Sequence, residues 1–404
     1  MNLKKITRLA EELEQQHSAA LERISGFLFS HPELGLAEHG SAAYLVDFLR
    51  QNGFQVQQGV CGMDTAFLAT FGTEGPQIDF PAEYDALPGY GPDGAPGHAC
   101  GHNWIAATTC GAAVVLAELV RRGEIKAAIR LVGTPAEETY GGKVIMAREG
   151  VFDRTAAAIQ AHLHPTTSTA CRMLAMNSFE FAYTGKAAHA AAAPWDGINA
   201  LDAVQLLFAG VNALRQHLRP DARIHGIVSE GGAAPNIVPE KAAAKFFVRA
   251  EQRGYLNEVI ARVKNIAEGA ALMTGAALTI TEPDPPLDDL LPAPTLSRLG
   301  EAQLRAQGLE PDYTIDRPGP LSGSSDIGNV SHVCPTLYME IAPPGAPVHI
   351  HTQQALEVVD GPEAHWALHA AVRAMTGTAL ELLADKALLQ TVREEFDDIR
   401  ASHG

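Results

Sequence analysis

The chain is poor in basic side chains. Across its 404 residues, 30 Lys and Arg stand against 47 Asp and Glu, a formal net charge of −17. Nucleic acids and anionic membrane surfaces both ask for a basic footprint, so the balance argues against either as a partner. Cysteine is sparse as well. The five residues, at positions 61, 100, 110, 171 and 334, are odd in number and form no Cys-x-x-Cys. That pattern does not suit a disulfide scaffold at this length and fits a reducing compartment. A long apolar run is also missing. The nearest candidate, 105–119, is interrupted by Thr108 and Thr109 and reads as a core helix rather than a membrane span. The opening Met1-Asn2-Leu3-Lys4-Lys5 leads into a charged amphipathic pattern without an apolar h-region, so no secretory signal is expected. The expectation is a soluble, cytoplasmic protein.

Nucleotide motifs are absent in substance. Gly89-Tyr90-Gly91-Pro92-Asp93-Gly94 matches G-x-G-x-x-G by letter only. Its prolines place it in a loop, where a dinucleotide fingerprint must leave a strand and open a helix. Gly142-Lys143 is followed by Val144 and lacks the upstream glycine of a phosphate-binding loop. Gly323-Ser324-Ser325-Asp326 lacks the second glycine of a nucleophile elbow.

What is present is enough apolar surface, 46% of residues, to bury a sizeable core. The length suggests about two domains. Helical periodicity covers 3–30, with Leu3, Ile6, Leu9, Leu13, Leu21, Ile24 and Leu28 on one face and His31-Pro32 ending it. A helix at 41–52 follows, then strands at 54–58, 65–71 and 77–82, and a Gly/Pro-rich loop over 85–101. A helix at 102–122, a buried strand at 127–133, a helix at 141–149 and a buried run at 156–161 complete an α/β pattern with parallel character.

The middle segment differs. Strand 178–186, helix 198–217, strands 222–230 and 240–249, helix 254–273 and strand 276–282 read as βαββαβ, a small α+β sandwich. The α/β pattern resumes with helix 295–307, a strand near 336–341 and a helix at 361–384. The expected organisation is a mixed-sheet α/β domain over 1–176 and 293–404, with a ferredoxin-like domain inserted at 177–292.

Four clusters of ligand-type residues lie at or beyond predicted strand ends, where α/β sheets place their sites. In His98-Ala99-Cys100-Gly101-His102-Asn103, Cys100 and His102 are two apart in an extended loop and can reach one side. The bland alternative is a buried Cys beside a solvent-facing His. Glu137 and Glu138 are adjacent carboxylates that point apart on an extended chain, so one can bind a metal while the other faces substrate. A solvated acidic turn is the competing reading. His162-Leu163-His164 and His349-Ile350-His351 each offer two histidines, one of which should face the crevice. With 16 His in the chain any single one is weak evidence. Convergence is the argument: Cys, His, Glu, His and His suffice for two ions sharing a ligand. Asp85 can orient a ligating imidazole. His189 and Asn236, in the inserted segment, can supply hydrogen bonds to a substrate.

These residues together resemble the M20 metallopeptidase family. The resemblance is carried by His98-Ala-Cys-Gly-His102-Asn, Gly133-Thr-Pro-Ala-Glu-Glu138, Gly185-Lys-Ala-Ala-His189 and Asn236-Ile-Val-Pro239. It is closer to the amidohydrolase branch, and Asn103 and Glu83, where many members have Asp, lean toward its p-aminobenzoyl-glutamate hydrolase and dipeptidase-like group. The resemblance implies two divalent ions, Zn, Mn or Co, held by Cys100, His102, Glu138, His162 and His351, with Cys100 bridging. It favours His162 over His164 and His351 over His349. It implies Glu137 as general base, Asp85 as support for a ligand, and His189 as donor to the substrate carbonyl. Asn236, with the Ser325 and Asp326 segment, would bind substrate. It further implies a homodimer through the inserted lid domain and hydrolysis of a small N-acyl amino acid or dipeptide-like amide. Two other readings compete: a catalytically inactive amide-binding member of the fold, and a metal-independent hydrolase using Ser324 or Ser325.

Overall fold

The fold was obtained as a computed structural model and is described for residues 2–403. It forms two compact units. One holds the chain up to Arg172 together with Leu290–Ser402; the other is Met173–Asp289.

The first unit begins with helix α1 (Leu3–Ser30), capped by the Asn2 side chain, which accepts the Lys5 N–H. Its buried face is Ile6, Leu13, Leu21, Ile24 and Leu28, as the periodicity predicts. Helix α2 (His39–Gln51), strands β1 (Gln55–Gln58), β2 (Phe67–Phe71) and β3 (Gln77–Ala82), helix α3 (His102–Arg121), strand β4 (Ala128–Gly133), helix α4 (Gly142–Arg148) and strand β5 (Ala157–Leu163) follow. α3 is long and apolar enough to cross a membrane, but 89% of its apolar window is buried, between the sheet and α1. Its Trp104 is fully buried and donates Nε1–H to the Ala364 carbonyl at 2.8 Å.

The second unit comprises β6 (Ala175–Thr184), α5 (Ala200–Leu214), β7 (Arg223–Glu230), β8 (Lys241–Ala250), α6 (Arg253–Thr274) and β9 (Ala277–Thr281). This is the expected βαββαβ order, folded as an antiparallel sheet ordered β7-β8-β6-β9. α5 and α6 pack on it through Val204, Leu207, Val259 and Val263.

The chain then returns to the first unit with α7 (Pro294–Ala306), α8 (Ile327–Ser331), β10 (Thr336–Ile341), α9 (Ala355–Val358), α10 (Pro362–Ala384) and α11 (Lys386–His403). The short α8 and α9 and the terminal α11 have no counterpart in the sequence reading. α11 buries only Val392 and Phe396, too few apolar positions to show a period.

The first unit's sheet is mixed, in the order β1-β2-β4-β3-β5-β10. β1, β2 and β4 pair antiparallel; β4, β3, β5 and β10 pair parallel. Ala82 at the end of β3 is in register with Gly133 at the end of β4. The segments carrying Glu83–Asp85 and Glu137–Glu138 therefore leave the sheet side by side. β5 brings His162, its penultimate residue, beside them, and α3 starts there at His102. The candidate site is assembled at these carboxyl ends.

Candidate metal centre

Local backbone geometry delivers each donor. Gly101, at φ 82°, turns the chain between Cys100 and His102, a left-handed conformation that suits glycine. Ala136 also adopts a positive φ of 59° and starts the Glu137–Glu138 turn. Its N–H donates at 2.8 Å to Glu38 Oε1, a buried carboxylate whose pKa burial raises to about 7. Gly35 packs under this turn; a Cβ there would stand 2.5 Å from Thr139 Oγ1 and 2.8 Å from Ala136 Cβ. The His31-Pro-Glu-Leu-Gly35 segment thus supports the acidic turn. His351 has a φ of 59°, and its N–H is fixed to the Ala99 carbonyl at 2.8 Å, beside Cys100.

The side chains converge in two sets. Cys100, His102 and His162 offer donor atoms all within 4.8 Å of one another, and so do Cys100, Glu138 and His351. Cys100 belongs to both. His164 and His349 belong to neither: His164 faces Glu340 at 3.6 Å, and His349 is exposed.

The tautomers leave the correct nitrogens bare. His102 Nδ1 lies 2.7 Å from Asp85 Oδ1, and His162 Nδ1 lies 2.6 Å from the Leu163 carbonyl. With both Nδ1–H groups donated, each Nε2 presents a lone pair. His162 Nε2 stands 3.5 Å from Cys100 Sγ, and His351 Nε2 stands 3.3 Å from Glu138 Oε1. Two donors bound to one tetrahedral ion at ordinary lengths are separated by about 3.4 Å. His102 Nε2 and Glu138 Oε1 are buried with no hydrogen-bond partner, a costly arrangement that a cation resolves. The residues present therefore fit two divalent ions.

Burial sets the electrostatics. It pushes the Cys100 thiol well above its usual value, with Glu138 adding to the effect. His162 is lowered to about 4, chiefly by burial. Burial, then the neighbouring Glu138, Glu83 and Asp326 carboxylates, lift Glu137 well above the usual carboxylate range. A raised carboxyl of this kind suits a proton acceptor near neutral pH.

Two residues read as ligand-facing are placed differently. Asp326 is fully buried, with Oδ1 2.5 Å from Lys143 Nζ and Oδ2 accepting the Lys143 N–H at 2.9 Å. Both oxygens are engaged by Lys143 in an internal ion pair. Ser325 is buried too, and its Oγ faces the Ile327 N–H.

His189 and Asn236 lie in the second unit, both exposed on adjoining loops. His189 bridges to Ile237, and the Ala190 N–H donates to the Asn236 carbonyl at 3.0 Å. His189 Nδ1 accepts from the N–H groups of Ala191 and Ala192, at 3.3 and 3.2 Å. Its proton therefore resides on Nε2, which is left as an outward donor.

Sequence reasoning passed over Lys143, Gln160 and the role of Glu38. Lys143 was visible only as part of a failed phosphate motif; its signal was a lysine five residues after a carboxylate pair at a strand end.

Comparison with known proteins shows the family. Residues 175–273 match the M20 peptidase dimerisation domain. The chain is 32% identical to mouse (Mus musculus) Xaa-Arg dipeptidase, over 98% of this chain and 93% of that protein. It is 34% identical to one of the p-aminobenzoyl-glutamate hydrolase polypeptides of Escherichia coli K12, over 67% of this chain and 59% of that one. A crystal structure of a dinuclear metal-binding M20 peptidase from Bacillus subtilis superposes with a TM-score of 0.66 at 21% identity, covering 89% of this chain and 98% of that one. The chain belongs to the M20 metallopeptidase family of metal-dependent hydrolases.

Proposed function

We propose that the protein hydrolyses the amide bond of a dipeptide or small N-acyl amino acid. Cys100, His102 and His162 would hold one divalent ion, and Cys100, Glu138 and His351 a second. The observation that carries this reading is the sharing of Cys100 between two three-donor sets. Such ions polarise a scissile carbonyl and bring the pKa of a water toward neutrality. Thiolate and imidazole donors suit Zn, and the carboxylate leaves Mn or Co acceptable. A reducing, cytoplasmic setting suits a thiol used as a ligand.

Glu137 takes the proton from the attacking water and returns it to the leaving amine. Asp85 holds His102 in the tautomer that exposes Nε2, and through Oδ2 it accepts the Glu138 N–H at 3.0 Å. His189 donates Nε2–H to the carbonyl oxygen as negative charge develops there. Asn236 binds the substrate beside it. Full-length similarity to a Xaa-Arg dipeptidase favours a dipeptide substrate. The matched dimerisation domain, and an outer strand β7 with exposed Ile227 and Val228, favour a homodimer through the second unit.

The test is a panel of dipeptides, N-acyl amino acids and p-aminobenzoyl-glutamate, assayed with chelator and after metal add-back. Metal-restored cleavage supports the class, and the preferred substrate selects within it. Chelator-resistant cleavage would remove the metal from the reaction.

A further inference from the structure

Lys143 is fully buried, on the first turn of α4. A lysine in that position loses its hydration, and a helix N-terminus offers a cation nothing in return. It is retained among carboxylates. Nζ lies 2.6 Å from Glu83 Oε1 and 2.5 Å from Asp326 Oδ1. Glu83, Glu137 and Asp326 each present a carboxyl oxygen within 4.8 Å of the other two. By spacing alone this triad is a cation cage, and the ammonium group of the chain itself answers it.

The cage is joined to the rest of the site. Glu83 Oε1 also accepts from Gln160 Nε2 at 2.7 Å, which fixes the carboxylate from two sides. Its second oxygen faces His102 Nε2 at 3.4 Å. The lysine therefore pairs with two carboxylates that each lie within 4.8 Å of the proposed base and, through Glu83, reaches the donor face of His102. Without the ammonium, three carboxylates would repel one another at close range. Glu137 is the half-buried member of the triad, while Glu83 and Asp326 are fully buried.

We propose that Lys143 is a positioning residue for hydrolysis: paired with Glu83 and Asp326, whose carboxyl oxygens lie within 4.8 Å of that of Glu137, its ammonium group offsets their charge and so keeps the Glu137 carboxylate at the place from which it acts. The inference rests on the hydrolase reading above. It assigns work to a residue that touches neither the substrate nor the proposed ligand atoms of Cys100, His162 and His351.

The test uses full-length, metal-loaded protein and two variants. K143M removes the cation and leaves Asp326 buried and unpaired, so it can fail to fold for that reason alone. K143M/D326N removes the stranded charge as well and carries the test. The expected double variant melts as a folded protein and binds as much metal as the unsubstituted protein. Its KM stays within about threefold while kcat falls about 100-fold, the loss typical of a misplaced reacting group. Recovery of full kcat in the double variant would overturn the proposal, because Lys143 would then serve only to neutralise Asp326. A double variant that does not fold would overturn it too, by showing the triad to be scaffold. Absence of chelator-sensitive cleavage in the unsubstituted protein is a separate result. It would refute the hydrolase reading before any variant is made.

Discussion

Asp85 Oδ1 stands 2.7 Å from His102 Nδ1, with both side chains buried. One carboxylate thereby fixes the imidazole tautomer and, through its other oxygen, the backbone of Glu138. Asp85→Ala should lower metal affinity by about 10–100-fold, as loss of a ligand's supporting partner does. Equilibrium dialysis with metal analysis measures it. Affinity unchanged from the unsubstituted protein would mean that the pair does not serve a metal.

Glu137→Gln keeps the shape of the base and removes its ability to accept a proton. Metal content should be unchanged and kcat should fall by about 10²–10⁴. Steady-state kinetics alongside metal analysis decides it, and turnover near the unsubstituted level would take Glu137 out of the mechanism.

His189 is held by the Ala191 and Ala192 N–H groups so that Nε2 donates. His189→Ala should reduce kcat by roughly 10²–10³, the usual loss for one oxyanion donor. Metal content should not move, because the residue is in neither donor set. A variant with normal kcat and raised KM would assign His189 to binding alone.

A pH effect on stability is expected far from the site. His369 places Nδ1 2.6 Å from Glu14 Oε1 and Nε2 3.0 Å from Glu22 Oε1. Burial works against its charge, and the two carboxylates overcome it, so its pKa is raised in the folded protein. A raised folded-state value stabilises fully below the ordinary histidine pKa and is lost as pH rises through the folded value. His369→Gln should therefore cost about 1–2 kcal/mol at pH 6 and clearly less at pH 9. Urea unfolding at the two pH values measures it, and an equal cost at both would exclude the charged pair.

Much of this architecture could be read from residues alone, for physical reasons. α1 shows a clean 3.6-residue period because only one face is buried, and β5 lacks a two-residue alternation because every position on it is buried. The clusters of Cys, His and Glu stood out because they lie at the carboxyl ends of strands, where α/β sheets place their sites. The ion pair of Asp326 could not be read from its Gly-Ser loop, because its partner, Lys143, is 183 residues away in sequence. Lys143 was passed over for the same reason, since no local pattern reports a pairing between distant elements. Spacing leaves His162 and His164 equivalent; in the fold the first ring faces Cys100 and the second faces Glu340.

The most direct test of the account is metal stoichiometry coupled to activity on one sample. Protein stripped by chelator and titrated with Mn, Zn or Co should regain hydrolysis of a dipeptide or N-acyl amino acid as two ions bind per chain. Cys100→Ser should weaken both ions together, because Cys100 belongs to both donor sets. Full activity in the stripped protein, or loss of one ion with the other held at unchanged affinity in Cys100→Ser, would contradict the shared-ligand centre.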